Sequence, residues 1–107
     1  MDLGLKGRTA LVTGSSDGIG AEIALRLFLE GVDVIVHGRN HEKVKNVCKK
    51  IQEKRSKSHK NQLYEFVADA TKPEQINHFF ETTMPTIGKL DILVNNIGGV
   101  LGIKKFE

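Results

Sequence analysis

Residues 13–20 read TGSSDGIG and begin where the apolar, β-rich run TALVT at residues 9–13 ends. Three glycines, Gly14, Gly18 and Gly20, therefore stand between a predicted strand and a helical pattern. In such a turn one glycine permits the sharp bend, one lets a diphosphate approach the backbone, and one lets the helix pack on the strand. The helix N-terminus adds free N–H groups and a partial positive charge. The stretch therefore predicts a phosphate-binding loop.

Short β-rich runs alternate with helical patterns along the rest of the chain. The predicted strands are 9–13, 32–37, 64–68 and 91–95. Three helices are predicted between them, because apolar residues recur there at helical spacing. Their stripes are Ile19, Ile23, Ala24, Leu27 and Phe28, then Val44, Val47, Cys48 and Ile51, and last Ile76, Phe79, Phe80 and Met84. This order predicts an α/β fold, a parallel sheet covered by helices, with ligands at the carboxyl ends of the strands.

Local signals indicate where the helices begin and end. Gly31 stands where the first helix should have its C-terminal cap. The run 71–74 (TKPE) has the form of a capping box with proline in the first turn, and it should open the third helix. Pro85 is expected to kink or end that helix.

Composition limits the classes of protein to consider. With 107 residues, 39% apolar and 27% charged, the chain fits one small globular domain. Its single cysteine, Cys48, allows no internal disulfide, and its four histidines show no metal-ligand spacing, so we expect no metal site. No apolar run reaches the length of a membrane helix and the N-terminus shows no leader, so a cytoplasmic protein without membrane contact is expected.

Residues 41–60 form a basic segment with eight Lys or Arg against two Glu. Clustered cations of this kind can bind nucleic acid by releasing counterions from phosphates. The apolar spacing within the segment gives a simpler interpretation, in which one face of a helix is buried and the lysines are solvated. We therefore predict no nucleic-acid partner.

The motif Thr-Gly-x-x-x-Gly-Ile-Gly at 13–20 resembles the N-terminal motif of the short-chain dehydrogenase/reductase family. Asp69, in VADAT, falls where that family has a carboxylate beside the adenine amino group. Residues 95–98 (NNIG) resemble its Asn-Asn-Ala-Gly motif. The resemblance, with 3-oxoacyl-[acyl-carrier-protein] reductase-like members among the relatives, implies a Rossmann-type sheet that binds a nicotinamide dinucleotide. The predicted cofactor-binding residues are Gly14, Ser15, Ser16, Asp17, Gly18, Ile19, Gly20, Arg39, Asn40, Asp69, Ala70, Asn96, Ile97 and Gly98.

The run 37–40 (HGRN), at the end of the second predicted strand, bears on the choice of cofactor. NAD-selective sites have an acidic residue there for the ribose 2′-hydroxyl, and Gly38 has no carboxylate. Arg39 offers a guanidinium fork suited to a 2′-phosphate, and Asn40 can add a hydrogen bond. Asp17 acts against this, because a carboxylate in the loop repels phosphate. NADP is predicted over NAD.

The family's catalytic Tyr-x-x-x-Lys motif is absent from these residues. The single tyrosine, Tyr64, is followed four positions later by Ala68 and precedes Asp69, so we assign no catalytic residue. The leading interpretation is the cofactor-binding portion of an NADP-dependent oxidoreductase, with hydride transfer to a carbonyl or from an alcohol only if the catalytic half is supplied. A non-catalytic nucleotide-binding module and a basic interaction protein are the alternatives. As substrates, a 3-oxoacyl thioester, a steroid and a sugar all stay open.

By the resemblance, residues 1–107 form a single partial domain that covers the N-terminal part of the family's sheet, which runs in the order 3-2-1-4-5-6-7. We therefore expect a sheet truncated after strand four, with strand four as an exposed edge. Such an edge favours aggregation and marginal stability.

Overall fold

A computed structural model describes residues 4–96 and the strand at residues 102–105. A five-stranded sheet in the order β3-β2-β1-β4-β5 forms the centre of the fold. The strands are β1 (Thr9–Val12), β2 (Asp33–Gly38), β3 (Leu63–Val67), β4 (Ile92–Asn95) and β5 (Gly102–Lys105). The first four are parallel to one another, as predicted.

The helices follow β1, β2 and β3 and complete the crossovers between parallel strands. They are α1 (Gly18–Leu29), α2 (His41–Glu53), α3 (Pro73–His78), a π-helical segment (Phe79–Thr83) and α4 (Met84–Ile87). No helix among the described residues is long and apolar enough to cross a bilayer.

The core has two parts, one on each face of the sheet. Adjacent residues of β1 show the division, since Ala10 and Val12 belong to one part and Leu11 to the other. The first part lies between the sheet and helices α1 and α2 and includes side chains of all three. It comprises Ala10, Val12, Ala24, Phe28, Val32, Val34, Val36, Val44, Val47, Cys48, Ile51 and Val94. The second packs under the π-helical segment and α4 and comprises Leu11, Ile35, Phe66, Ala68, Phe79 and Met84. The predicted α/β fold with helices on both faces is confirmed.

Two predicted core residues lie at the surface instead. The side chain of Ile19 is 67% exposed, because it stands at the start of α1, where the helix passes over the end of the sheet. Phe80 is 38% exposed, whereas its neighbour Phe79 is buried and stacks on Phe66 with the ring centroids 3.8 Å apart. Consecutive helical side chains are about 100° apart around the helix axis, and here Phe79 points into the core while Phe80 points toward solvent.

The start of the third helical region differs from the predicted capping box. Lys72 is the residue before α3 and makes no capping hydrogen bond with its side chain. The Thr71 hydroxyl donates to Oδ1 of Asp69 at 2.7 Å, so it is committed to the turn that precedes the helix.

Pro85 does not end the helix, which was one of the two outcomes expected. The helical path continues through Pro85 to Ile87 and ends at Gly88, which has a φ of +119°. Proline lacks an N–H and its ring clashes with the carbonyl four residues earlier in a regular α-helix. The π-helical segment Phe79–Thr83 ends two residues before Pro85, and its wider turn leaves room for the proline ring.

Strand β4 is not an edge, which corrects the expectation drawn from the sequence. Strand β5 pairs with it in antiparallel register, with Asn95 opposite Gly102 and Ile92 opposite Lys105. Only a few residues separate the two strands. An antiparallel neighbour needs only such a short connection, whereas a parallel one needs a crossover of a dozen residues or more.

Candidate nucleotide-binding site

The carboxyl ends of β1, β2 and β3 enclose a cavity of about 230 Å³. Three loops form it: the glycine-rich loop after β1, the turn between β2 and α2, and the turn between β3 and α3. The lining residues are Gly14, Ser16, Asp17, His37, Gly38, Arg39, Ala68, Asp69, Ala70 and Thr71. The structure thus brings Gly14, Ser16, Asp17, Arg39, Asp69 and Ala70 together, as the sequence analysis expected.

The three loop glycines meet different structural needs. Gly14 and Gly18 have φ angles of +62° and +57°, in the left-handed region that favours glycine. A Cβ on Gly18 would have no protein atom within 4 Å, so the space beside it is open. A Cβ on Gly20 would collide with the Gly14 carbonyl oxygen and lie 2.9 Å from the Cα of Ser15. Gly20 therefore lets α1 pack directly on the loop.

Ser15 anchors the loop to the end of β2. Its side chain is fully buried, its Oγ donates to the Val12 carbonyl at 2.7 Å, and the same oxygen accepts the His37 N–H at 2.9 Å. Its own N–H donates to the His37 carbonyl at 2.8 Å. The hydroxyl and the N–H of Ser15 are thus engaged inside the protein.

Asn96 holds the loop from β4. Its Nδ2 donates to the Gly14 carbonyl at 3.2 Å, and its backbone N–H donates to the Thr13 hydroxyl at 3.0 Å. Asn96 therefore orients the glycine-rich loop. The predicted residues Ile97 and Gly98 lie outside the described residues.

Gly38 has a packing role in addition to its lack of a carboxylate. A Cβ at this position would lie 2.7 Å from both Cβ and Oγ of Ser16, and 2.8 Å from a methyl group of Val44. The loop can cross the end of β2 at this distance only because residue 38 has no side chain.

Arg39 and Asp69 stand on different strand ends beside the cavity. Both hydrogen bonds from Thr71, from its N–H at 2.9 Å and its hydroxyl at 2.7 Å, go to Oδ1 of Asp69. These bonds lower the pKa of the Asp69 carboxyl, and the charges of Arg39 and Lys72 lower it further. No carboxylate of residues 4–96 lies within ion-pair distance of Arg39.

Lys43 is a residue of the site that sequence reasoning missed. Its Nζ lies 3.7 Å from a carboxylate oxygen of Asp17, and so joins the first turn of α2 to the glycine-rich loop. The backbone N–H of Lys43 donates to Oδ1 of Asn40 at 3.1 Å, which makes Asn40 the N-cap of α2. In the sequence, Lys43 is one lysine among many, and only the approach of α2 to the loop distinguishes it.

His37 is the second residue that was missed. It is buried, and its ring contacts both Gly14 and Ala68 through hydrogen bonds of 3.0 Å each. The sequence presents it as a histidine near the end of a strand, without a partner at a recognisable spacing. Its two partners lie in the segments that follow β1 and β3.

Metal and thiol chemistry find no support in the part of the chain that the structure describes. No group of three or more His, Cys, Asp and Glu side chains there is arranged to hold a metal ion. Burial, followed by the charge of Glu65, raises the pKa of the Cys48 thiol to about 12. The thiol is therefore protonated and unreactive near neutral pH.

The family model for short chain dehydrogenases matches residues 8–107. The chain belongs to this family. The oxidoreductase YvaG of Bacillus subtilis, itself uncharacterized, is 42% identical over 98 residues, which are 92% of this chain and 34% of that protein. An uncharacterized oxidoreductase of Staphylococcus saprophyticus is 38% identical over 98 residues, covering 91% of this chain and 40% of the relative. The membership of the short-chain dehydrogenase/reductase family that the motifs indicated is confirmed.

Solved structures of the same family share the fold. L-sorbose reductase from Gluconobacter frateurii, in complex with NADPH and L-sorbose, matches with a TM-score of 0.80 and 33% identity over 92% of this chain and 36% of that chain. A metagenomic short-chain oxidoreductase in complex with NADP matches with a TM-score of 0.76 and 33% identity over 88% of this chain and 40% of the other. The chain thus spans well under half of the length of these relatives.

The packing role of Gly38 predicts that Gly38→Ala is destabilising by about 1 to 3 kcal/mol, because the added methyl group overpacks the contact with Ser16 and Val44. Urea denaturation of the variant and the wild type measures this. In a double-mutant cycle, Ser16→Gly should restore part of the loss, since it removes the nearest clashing atoms. Full wild-type stability of Gly38→Ala would contradict the close approach of the loop.

Proposed function

We propose that the chain is the NAD(P)-binding portion of a short-chain dehydrogenase/reductase, an oxidoreductase that transfers hydride between NADP(H) and a carbonyl or alcohol substrate. The observation that supports this best is the cavity at the ends of β1, β2 and β3. A glycine-rich loop lies on one side of it, and Arg39 and Asp69 lie on the others. Family membership supplies the reaction class.

The geometry of the loop suits a diphosphate. The open space beside Gly18 lies at the N-terminus of α1, a helix of 12 residues, where N–H groups and the helix dipole favour anions. Gly20 brings that helix end close to the loop, and Gly14 is held from two sides. A side chain at position 18 would fill the space that a phosphate needs, so the residues present fit the cofactor.

The other side of the cavity suits adenosine. Its volume is below the roughly 300 to 1,000 Å³ of pockets that enclose a whole small molecule, so it fits one end of a dinucleotide. Asp69 is an ionised acceptor for the adenine amino group, and Ala70 leaves room beside it. Asn40 directs its side-chain oxygen to the N–H of Lys43, so its contribution toward the ribose is limited to the amide nitrogen.

The choice of NADP over NAD rests on three residues. Arg39 brings a guanidinium group to the cavity without a carboxylate at ion-pair distance among residues 4–96, and Gly38 contributes no competing acid. Asp17 would repel a 2′-phosphate, but the Lys43 ammonium at 3.7 Å offsets its charge. Lys43 thereby brings a cation to the place where the loop itself has an acidic residue.

The dinucleotide supplies the hydride, and the protein must supply the proton. Tyr64 is half-buried near the amino end of β3 and packs against the second part of the core. It is therefore away from the carboxyl ends of the strands, where the cavity lies. We therefore propose that these 107 residues bind the cofactor without turning over a substrate. A nucleotide-binding module without chemistry is the alternative, and it predicts the same binding.

The basic segment takes no part in this proposal. Helix α2 buries Val44, Val47, Cys48 and Ile51, as its spacing predicted, and its lysines are exposed. This is the pattern of a solvated helix that covers a sheet.

Arg39→Ala should weaken the binding of NADPH by about 1.5 to 3 kcal/mol and leave the binding of NADH nearly unchanged, because only NADPH has the 2′-phosphate. Calorimetric titration of both dinucleotides measures the ratio of the two dissociation constants. Arg26→Ala is the matched control, since Arg26 is exposed on α1 and, among the described residues, its only ion pair is with Glu22. Its ratio should equal that of the wild type.

An unaltered ratio in Arg39→Ala would refute the assignment of the 2′-phosphate site. Gly18→Val provides the second control, since its side chain would occupy the proposed diphosphate space and should abolish the binding of both dinucleotides. Circular dichroism must show that this variant is folded, because the φ of +57° at Gly18 disfavours valine.

The purified 107-residue chain is expected to bind NADPH and to leave it unoxidised in the presence of ketones and acyl thioesters. Loss of general acid catalysis removes a factor of about 10² to 10⁴ in rate. Absorbance of NADPH, followed with the chain in excess, tests this. Oxidation that depends on an added carbonyl compound would contradict it, and Tyr64→Phe would then show whether Tyr64 donates the proton.

A further inference from the structure

His37 joins the three strand ends that form the cavity. It lies in β2, is 3% exposed, and its Nδ1 is 3.0 Å from the N–H of Gly14 in the loop after β1. Its Nε2 is 3.0 Å from the carbonyl oxygen of Ala68, the residue before Asp69 after β3. One imidazole ring therefore connects the glycine-rich loop to the end of β3, next to the Asp69 carboxylate.

These two partners determine the protonation state of the ring. A backbone N–H only donates, so Nδ1 must be the unprotonated acceptor. A carbonyl only accepts, so Nε2 must have the proton. The neutral ring with its proton on Nε2 satisfies both partners. In the imidazolium, an N–H at Nδ1 would face the N–H of Gly14, and that hydrogen bond would be lost.

The surroundings do not compensate a charge on His37. The charged side chains around the strand ends are Asp17, Arg39, Lys43, Asp69 and Lys72. Asp17 is paired with Lys43, and Asp69 accepts two hydrogen bonds from Thr71. Neither carboxylate has a hydrogen bond or ion pair with His37 in the described part of the chain. The ring also lies against the apolar ring of Phe66, with the two centroids 5.0 Å apart.

Burial also favours the neutral ring. It lowers the pKa of His37 from the ordinary value of about 6.5, and the hydrogen bond to Ala68 opposes this in part. A lowered pKa in the folded protein means that stability and loop anchoring are complete above about pH 6.5. They decrease as the pH falls toward the pKa of the folded protein.

We propose that His37 is a positioning residue of the dinucleotide site, which rests on the function proposed above. As a neutral ring it holds Gly14 and Ala68 at a fixed separation, so that the loop and the end of β3 are both in place for the cofactor. Protonation releases Gly14, and the affinity for dinucleotide falls. The attraction between a diphosphate and an imidazolium acts in the opposite direction, so the sign of the pH dependence distinguishes the two effects.

Calorimetric titration with NAD⁺, from pH 7.5 down through the titration of His37, tests the proposal. NAD⁺ is the suitable probe because the 2′-phosphate of NADP⁺ itself titrates, with a second pKa near 6. The dissociation constant of the wild type should increase by up to about threefold to tenfold through that titration, the effect of one hydrogen bond. Affinity that is constant or that increases as His37 becomes protonated would overturn the proposal.

Two variants separate the two hydrogen bonds. In His37→Asn the side-chain oxygen takes the place of Nδ1 and does not titrate, so the link to Gly14 is kept, the link to Ala68 is lost, and the pH dependence of the affinity should disappear. In His37→Gln the amide nitrogen takes the place of Nε2, so the link to Gly14 is lost, and affinity should be reduced at every pH. An unchanged pH profile in His37→Asn would show that another group titrates.

Nuclear magnetic resonance of the ¹⁵N-labelled wild type gives a readout without variants or ligand. The ring should have its proton on Nε2, and the Gly14 amide resonance should shift with the titration of His37. A proton on Nδ1 near neutral pH would overturn the proposal. So would a chemical shift of the Gly14 amide that stays constant while His37 titrates. If the wild type binds no dinucleotide at any pH, the proposed function fails, and the Gly14 amide alone then decides the role of His37.

Discussion

The conformation of Gly14 is the constraint on which the site depends. Its N–H donates to His37 of β2, its carbonyl accepts from Asn96 after β4, and Gly20 of α1 packs against that same carbonyl. Three elements therefore meet at one residue with a φ of +62°. Because the loop is held from both neighbouring strands, the start of α1 has a fixed direction over the end of the sheet.

The parallel sheet explains why these contacts converge. In a parallel arrangement the carboxyl ends of β1, β2, β3 and β4 all lie at one edge, so residues distant in sequence become neighbours there. Gly38 and Ser15 keep the loop close to the end of β2, while Asp17 and Lys43 tie it to α2. The same arrangement positions Arg39 and Asp69 on different strands beside one cavity.

The sequence predicts the repeating local patterns well. Burial of β1 and β2 on both faces makes them continuous apolar runs, and the apolar face of α2 has clear helical spacing. Predictions failed where a local signal competes with tertiary contacts. The Thr71 hydroxyl could cap α3 or bond to Asp69, and only the turn geometry selects the second. Strand β5 could not be derived, because its antiparallel pairing with β4 is a tertiary contact that the four residues Gly102–Lys105 do not indicate by themselves.

The candidate site, like the fold, could be predicted from the sequence only in part. The glycines and the residues after each strand are recognisable because their type and position are both unusual. His37 and Lys43 were not, since each acts through a partner more than 20 residues away in the chain. Gly38 was recognised for its missing carboxylate, but its contact with Ser16 requires the folded loop.

The most direct test of the account is a titration of the ¹⁵N-labelled chain with NADP⁺, in which the chemical shift of every backbone amide is followed. Binding at the strand ends predicts that the largest changes occur at residues 14–20, at Arg39, and at Asp69 and Ala70. Changes confined to the lysine-bearing surface of α2, or no saturable change at any amide, would contradict it.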